Sequence, residues 1–154
     1  MAPRTSFSAD LVCLIGQLGN GGTERQLYLF LKHLDRTRVR PLVVVSAAPG
    51  GLWQGRFEQE LGVPIVFLGG IPAPLKLWRF RRLVRQARPR IVFSWSFFTN
   101  PYRLAASGTR FVGSLRQQLA VQRRQLPGWW LRAALTGPHL VVNSTRVAAE
   151  LREA

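Results

Sequence analysis

The stretch from Leu11 to Leu34, LVCLIGQLGNGGTERQLYLFLKHL, decides the fold expected for this chain. It opens with five consecutive apolar residues, Leu11–Ile15, which are typical of a strand covered on both faces. Three glycines follow within four positions, and Thr23–Leu34 then has the periodicity of an amphipathic helix. The apolar stripe of that helix consists of Leu27, Phe30, Leu31 and Leu34. The stretch therefore predicts a strand, a glycine loop and a helix in succession.

The same alternation continues along the chain. The apolar runs that predict strands are Leu11–Ile15, Pro41–Val45, Pro64–Leu68, Ile91–Ser94, Phe111–Ser114 and His139–Val142. Further helical patterns lie at Leu75–Arg88, Trp129–Leu135 and Ser144–Arg152. Strands that alternate with helices indicate right-handed βαβ units. We therefore expect an α/β fold with a doubly wound, Rossmann-like parallel sheet of strand order 3-2-1-4-5-6, forming one domain over residues 1–154.

The glycine loop is the first candidate binding site. In such sheets ligands bind where a strand ends and the chain turns into a helix. Gly19, Gly21 and Gly22 permit positive φ and a close approach of the backbone, while helix amides would point at an anion. Thr23 is a candidate helix cap, with Glu24 in the first turn. The alternative is a merely tight turn with no ligand.

Other phosphate and metal motifs are missing. No Gly-Lys-Ser/Thr follows the loop, and Glu24 stands where a dinucleotide fingerprint has its third glycine, so NAD is not expected. The two histidines, His33 and His139, lie far apart in sequence and lack cysteine or carboxylate company. We therefore expect no metal site and no cofactor.

Charge is the strongest compositional signal. The chain has 22 Lys and Arg against 7 Asp and Glu, a net charge of +15, and no acidic residue between Leu61 and Ala149. Such a surface favours phosphate-bearing partners, whether lipids, nucleotides or nucleic acids. The single cysteine, Cys13, lies in the first apolar run and is expected to be a buried thiol, which fits a reducing, cytoplasmic compartment. We find neither a secretory signal nor an apolar run of membrane-spanning length.

The helix predicted at Leu75–Arg88 has an apolar stripe and an opposite basic arc. The arc contains Arg79, Arg81, Arg82, Arg85 and Arg88, with Trp78 in its middle. An indole among arginines suits the headgroup region of an anionic membrane. The alternative is a solvated basic face on which Trp78 packs against a neighbour. A second basic and aromatic segment, with Arg123, Arg124, Trp129 and Trp130, favours peripheral membrane association.

The ordered set of motifs resembles the N-terminal domain of GT-B glycosyltransferases of the family 4 type. The motifs are GGTE (21–24), VVVSAAPGG (43–51), LGVPIVFLG (61–69), RPRIVFSW (88–95), RLAA (103–106) and VVNS (141–144). The resemblance spans nearly the whole chain. It implies that Gly21, Gly22 and Glu24 lie at an interdomain cleft, near the donor diphosphate and the acceptor.

Two more residues follow predicted strands at the same edge. Arg116 comes just after the fifth strand, where similar sequences often carry an arginine, so we expect it to contact the acceptor or a phosphate. Asn100, and with it Arg103, follows the fourth strand and is a weaker candidate. Together with Gly21, Gly22, Thr23 and Glu24, Asn100 and Arg116 form the expected substrate site.

The sequence departs from the family pattern at Phe93 and Trp95, where many members have histidines, and at Arg90, where an aspartate is usual. The family's C-terminal domain, which binds the nucleotide sugar, has no counterpart in these 154 residues. We therefore expect a fragment, a truncated gene or one subunit of a split enzyme, inactive by itself.

The expected function is transfer of a sugar from a nucleotide-sugar donor to a lipid-linked or glycan acceptor at a membrane surface. Two alternatives remain. One is a nucleic-acid-binding module, although no RNP or helix-turn-helix pattern is present. The other is a non-catalytic remnant that binds a partner, which Phe93 and Trp95 would favour.

Overall fold

A computed structural model describes residues 8–137 and 139–152 of the chain. Its six strands form one parallel sheet in the order β3-β2-β1-β4-β5-β6. The strands are β1 (Leu11–Ile15), β2 (Pro41–Val45), β3 (Ile65–Phe67), β4 (Ile91–Ser94), β5 (Arg110–Leu115) and β6 (Leu140–Val142). The predicted fold class and strand order are confirmed.

Helices cover both faces of the sheet. They are α1 (Gly22–His33), α2 (Ala73–Ala87), α3 (Leu119–Gln125), α4 (Gly128–Leu135) and α5 (Thr145–Arg152). A π-helical segment, Arg56–Leu61, and a 3₁₀ segment, Phe97–Ala105, lie between strands. Helix α2 ends at Ala87 and is capped by Arg88, whose φ of 48° is left-handed. Pro89 follows and cannot continue the helix, because its ring removes an N–H donor and clashes with the preceding turn.

The central strand, β1, supplies both halves of the core. Val12 and Leu14 pack on the face that carries α2 and the 3₁₀ segment. Leu11, Cys13 and Ile15 pack on the other face, against α1 and the π-helical segment. Successive side chains of a strand point to opposite faces, so a strand covered on both sides has to be apolar throughout. This explains the unbroken apolar run of β1.

Asp10 joins the first two strands at the amino-terminal edge of the sheet. Its carboxylate accepts hydrogen bonds from the backbone N–H of Arg40 at 3.0 Å and from Nε of Arg40 at 2.9 Å. These bonds lower the pKa of Asp10 to about 2. The contact fixes the start of β1 beside the start of β2.

Candidate functional site

The glycine loop lies between β1 and α1, as predicted, but its glycines serve a different purpose. Gly21 is the N-cap of α1 with a φ of −108°. Among the glycines of the described residues, positive φ occurs at Gly50, Gly51, Gly62, Gly70 and Gly108, and at none of the glycines of this loop. Gly19, Gly21 and Gly22 therefore do not use the positive φ that a glycine permits.

The side chain of Glu24 packs against Gly21. A Cβ built on Gly21 would lie 2.4 Å from Oε2 of Glu24, whereas one built on Gly22 would meet nothing within 4 Å. Glu24 therefore turns back over the start of its own helix, and only 5% of the residue is exposed. Thr23 lies inside α1 and makes no capping bond, so its predicted role as a cap is wrong. A carboxylate at this position is stabilised by the helix dipole.

Arg116 directly follows β5, at the same carboxyl edge of the sheet as the glycine loop. Its Nη1 donates a hydrogen bond to Oε1 of Gln26, in the second turn of α1. Its guanidinium carbon lies 4.5 Å from the centre of the Trp95 ring. The two contacts hold the cation between a helix and an aromatic face.

The charge on Arg116 is incompletely compensated. Its Nε is buried and has no hydrogen-bond partner among the described residues. Burial lowers the pKa of its guanidinium, because a charged group loses hydration there. None of the ion pairs in the described residues involves Arg116. A partly buried cation without a counter-ion is suited to bind an anion.

Trp95 provides the aromatic floor of this site. It is 5% exposed and its ring centre lies 4.8 Å from that of Phe93 and 5.4 Å from that of Phe30. Sequence reasoning treated Phe93 and Trp95 only as departures from a histidine motif. The contact of Trp95 with Arg116 was not predicted, since residues 95 and 116 meet only through the pairing of β4 with β5.

Asn100 is not at the cleft. It is 1% exposed, and its Nδ2 donates to the carbonyl oxygens of Ser114 at 3.1 Å and Ala134 at 3.3 Å. Its Oδ1 accepts the backbone N–H of Ser114 at 3.2 Å. Asn100 therefore connects the 3₁₀ segment to β5 and α4. The prediction of a substrate contact is corrected, because the side chain points into the interior. Arg103 likewise connects the 3₁₀ segment to α4, because it donates hydrogen bonds to the carbonyl oxygen of Ala133 and to the side chain of Thr136.

Neighbouring loops hold the glycine loop in place. Gly16 donates its N–H to Oγ of Ser96 at 3.0 Å, and a Cβ on Gly16 would lie 2.0 Å from the Phe98 ring. Gly51 has a φ of 104°, and a Cβ there would lie 2.0 Å from the carbonyl oxygen of Leu18. These contacts were not predicted, because they join residues from three separate turns.

Helix α2 has the two faces that its sequence predicts. Phe80, Val84 and Ala87 are buried, and Trp78 is 54% exposed. All five arginines of the basic arc, Arg79, Arg81, Arg82, Arg85 and Arg88, are exposed. A shallow groove of about 320 Å³ is lined by Trp78, Arg81, Arg82, Arg85 and Gln86. The guanidinium of Arg82 lies 5.8 Å from the centre of the Trp78 ring.

The second basic segment is only partly at the surface. Arg123 and Arg124 are exposed on α3, and Trp129 is 69% exposed on α4. Trp130 instead packs against the core beside α2 and donates its indole N–H to the carbonyl oxygen of Phe98 at 2.8 Å. Its predicted place at the membrane surface is therefore corrected, and Trp129 remains as the exposed indole.

Metal-binding and membrane-spanning features are absent from residues 8–137 and 139–152. These residues contain no group of three His, Cys, Asp or Glu side chains placed to hold a metal ion. Over the same ranges, no helix has both the length and the apolar character that crossing a bilayer requires.

Solved structures superpose on this chain with the same fold. HepE from Anabaena, crystallised with UDP, is 18% identical and superposes with a TM-score of 0.72 over 94% of this chain and 40% of HepE. The lipopolysaccharide outer core galactosyltransferase WaaB, in its apo form, is 13% identical, with a TM-score of 0.70 over 93% of this chain and 42% of WaaB. The chain thus spans about two fifths of these proteins. A search of curated proteins gave no match.

The fold is that of one half of a GT-B enzyme, and the half in question is the N-terminal one. The sequence model of Glycosyltransferase Family 4 matches residues 20–154, nearly the whole chain. The match includes the glycine loop, Trp95 and Arg116. This chain therefore belongs to Glycosyltransferase Family 4.

Proposed function

We propose that this chain is the acceptor-side domain of a glycosyltransferase that moves a sugar from a nucleotide-sugar donor to a lipid-linked or glycan acceptor at an anionic membrane surface. The observation that carries the proposal is Arg116, a partly buried cation without an ion-pair partner at the carboxyl edge of the sheet. Ligands of open α/β sheets bind at that edge. HepE has been crystallised with UDP and with UDP-glucose, which supports a nucleotide-sugar donor.

The chemistry explains why a cation is useful at this position. The acceptor hydroxyl gives up its proton to a base or to solvent as its oxygen bonds to the anomeric carbon, the bond from that carbon to the donor diphosphate breaks, and the leaving group takes the negative charge. A fixed guanidinium stabilises charge on a phosphate, in the donor or in a phosphate-linked acceptor. Gln26 and Trp95 hold Arg116 before a substrate arrives, so little reorganisation is needed.

Glu24 has a complementary role in this proposal. Its carboxylate lies over Gly21 at the start of α1 and accepts hydrogen bonds, so it suits a sugar hydroxyl better than a phosphate. Gly22 leaves the backbone open beside it. The remaining donor contacts come from a second, donor-binding domain or subunit, since sugar transfer needs groups on both sides of the reacting carbon.

We assign the protein to the cytoplasmic side of a membrane as a peripheral domain. The support is the exposed arc of arginines around Trp78 on α2, together with Trp129 on α4. Arginines pair with lipid phosphates, and an indole lies well at the headgroup boundary.

The test of the transferase proposal is an assay of Arg116→Gln in the complete enzyme, with its donor-binding part present. Labelled sugar transfer from a panel of nucleotide sugars to a lipid extract is measured. We expect kcat/KM to fall by about a hundredfold, the usual cost of removing one charge-stabilising donor. Arg38→Gln is the matched control, because Arg38 is an exposed arginine outside the site and takes part in none of the ion pairs of the described residues.

Equal kcat/KM for Arg116→Gln and the unmodified enzyme would remove Arg116 from the site. Equal losses of kcat/KM in both variants would show that the effect comes from the change in net charge alone. Absence of transfer from every nucleotide sugar would count against the transferase function itself.

A further inference from the structure

A second cleft lies at the amino-terminal edge of the sheet, opposite the site described above. Its volume is about 390 Å³, within the range of small-molecule sites. The cleft is lined by polar and aromatic side chains, which include Arg103, Ser107, Thr109, Arg110, Phe111 and His139. Arg110 and Arg116 lie at opposite ends of β5, about 20 Å apart at ~3.3 Å per residue. The two sites are therefore separate.

The cleft presents hydrogen-bond donors. Arg103 comes from the 3₁₀ segment, Arg110 starts β5 and His139 precedes β6. Nε of Arg103 donates to Ala133 O at 3.3 Å, and its Nη2 donates to Oγ1 of Thr136. These two bonds fix the plane of the Arg103 guanidinium.

A tight turn brings two hydroxyls to the same cleft. The N–H of Thr109 donates to Ala106 O at 3.2 Å, and Gly108 takes a φ of 84°, which an L side chain rarely adopts. The turn presents Ser107 and Thr109 beside the two arginines.

No carboxylate compensates this charge. Arg103 and Arg110 take part in none of the ion pairs of residues 8–137 and 139–152. The sequence has no Asp or Glu between Leu61 and Ala149, which includes every residue that lines the cleft. Two guanidinium groups with hydroxyls and an imidazole fit a phosphate group, which offers several acceptor oxygens.

We propose that this cleft is a second ligand site, which binds the phosphate group of a small phosphate monoester. Phe111, 6% exposed, closes its floor and provides an apolar contact for the rest of the ligand. The proposal does not depend on the transferase function, because it concerns other residues at the other edge of the sheet.

The test is a titration of the ¹⁵N-labelled chain with glycerol 3-phosphate in ~0.15 M NaCl, with glycerol as the phosphate-free control. We expect saturable shifts of the amides from Ser107 to Phe111 with glycerol 3-phosphate and none with glycerol. Arg110→Gln should raise Kd about tenfold, as expected for loss of a charge-assisted bond. Arg38→Gln removes the same charge at an exposed position outside both the cleft and α2 and should leave Kd within about twofold.

Non-saturable shifts, or an equal rise in Kd for Arg38→Gln and Arg110→Gln, would overturn the proposal in favour of general charge attraction. Shifts confined to Gln26 and Arg116 would also overturn the proposal, since the anion would then bind at the carboxyl edge of the sheet. Vesicles containing phosphatidate form a second arm. If they shift the Ser107–Phe111 amides and glycerol 3-phosphate does not, the phosphate monoester is a lipid headgroup.

Discussion

At the scale of single residues, Gly51 has the clearest structural reason for its identity. Its φ of 104° lies in a region that favours glycine, and its backbone packs against the carbonyl of Leu18 in the glycine loop. The same carbonyl accepts the N–H of Trp53 at 3.2 Å. Gly51 therefore lets the turn after β2 support the turn after β1. Gly22, by contrast, has open space where a side chain would begin.

We predict opposite effects of alanine at these two glycines. Gly51→Ala should lower the free energy of unfolding by about 1–3 kcal/mol, because the new Cβ meets backbone atoms and the φ is strained. Gly22→Ala, at the first position of α1, should leave it unchanged or raise it by up to ~1 kcal/mol. Urea unfolding followed by circular dichroism measures both. Equal destabilisation would show that the glycine loop is more tightly packed than described.

The candidate site shows how far single residues are predictable. The position of Arg116 directly after a strand predicted the edge of the sheet on which it lies. Its contacts with Gln26 and Trp95 were not predicted, since they join residues 90 and 21 positions apart in sequence. Asn100 was misassigned because a polar residue after a strand can turn inward as readily as outward, and local sequence does not distinguish the two.

At the scale of secondary structure, the long periodic segments were predicted well. Strands β1, β2 and β4 have the predicted bounds, and α2 differs by two residues at its start and one at its end. The 3₁₀ segment and α3 were not predicted. The first contains Pro101, which argues against a regular helix, and the second is only seven residues long. Short elements of this kind are determined by tertiary packing.

The contact between the starts of β1 and β2 predicts a pH dependence. The pKa of Asp10 is about 2 in the folded chain, below the unfolded value near 3.9. Its contribution to stability is therefore complete above about pH 4 and is lost as the pH falls towards 2. Asp10→Asn should remove this part of the acid dependence. The carboxyl ¹³C shift of Asp10 measures the folded pKa, and a midpoint near 4 would contradict the contact.

Helix α2 predicts membrane binding with two separable parts. Binding to vesicles that contain anionic lipid should fall with salt but not to zero, since each arginine near the surface contributes about 1 kcal/mol and is screened. Trp78→Ala should remove the salt-resistant part. Arg82→Glu with Arg85→Glu should remove most of the rest. Vesicle co-sedimentation measures each of these.

The controls for α2 separate membrane binding from general charge effects. Arg38→Glu with Arg152→Glu makes the same charge change at exposed positions outside α2 and should have little effect. Neutral vesicles and a competing oligonucleotide complete the set. Equal binding to neutral and anionic vesicles, or no binding to either at low salt, would leave the arginines as a solvated face.

At the scale of the whole molecule, sequence was most informative about topology. Regular alternation of strands and helices leaves few arrangements once crossovers are right-handed, and β1 then lies at the centre with β2 and β4 on either side. The identity of the ligands was far less accessible. Specificity depends on side chains that meet from several turns, together with groups beyond the two fifths of the related proteins that this chain spans.

The buried thiol at the centre of that sheet has an experimental consequence. Cys13 is fully buried on β1, and burial raises the pKa of its thiol to about 12 from a usual 9. At pH 8 the folded chain should react with iodoacetamide far more slowly than an unfolded one, since its thiolate fraction is about a thousandfold lower and the sulfur is inaccessible. Labelling near the rate of free cysteine in native buffer would contradict this.

Because the chain has one cysteine, its alkylation reports a single event, the opening of the central strand. When closing is fast compared with the chemistry, the labelling rate gives the equilibrium population of that open state. Mass spectrometry of iodoacetamide-treated samples would then rank the stability of every variant discussed above at native conditions. The labelling rate of Cys13 therefore measures the population in which the sheet is open, and no external probe has to be attached.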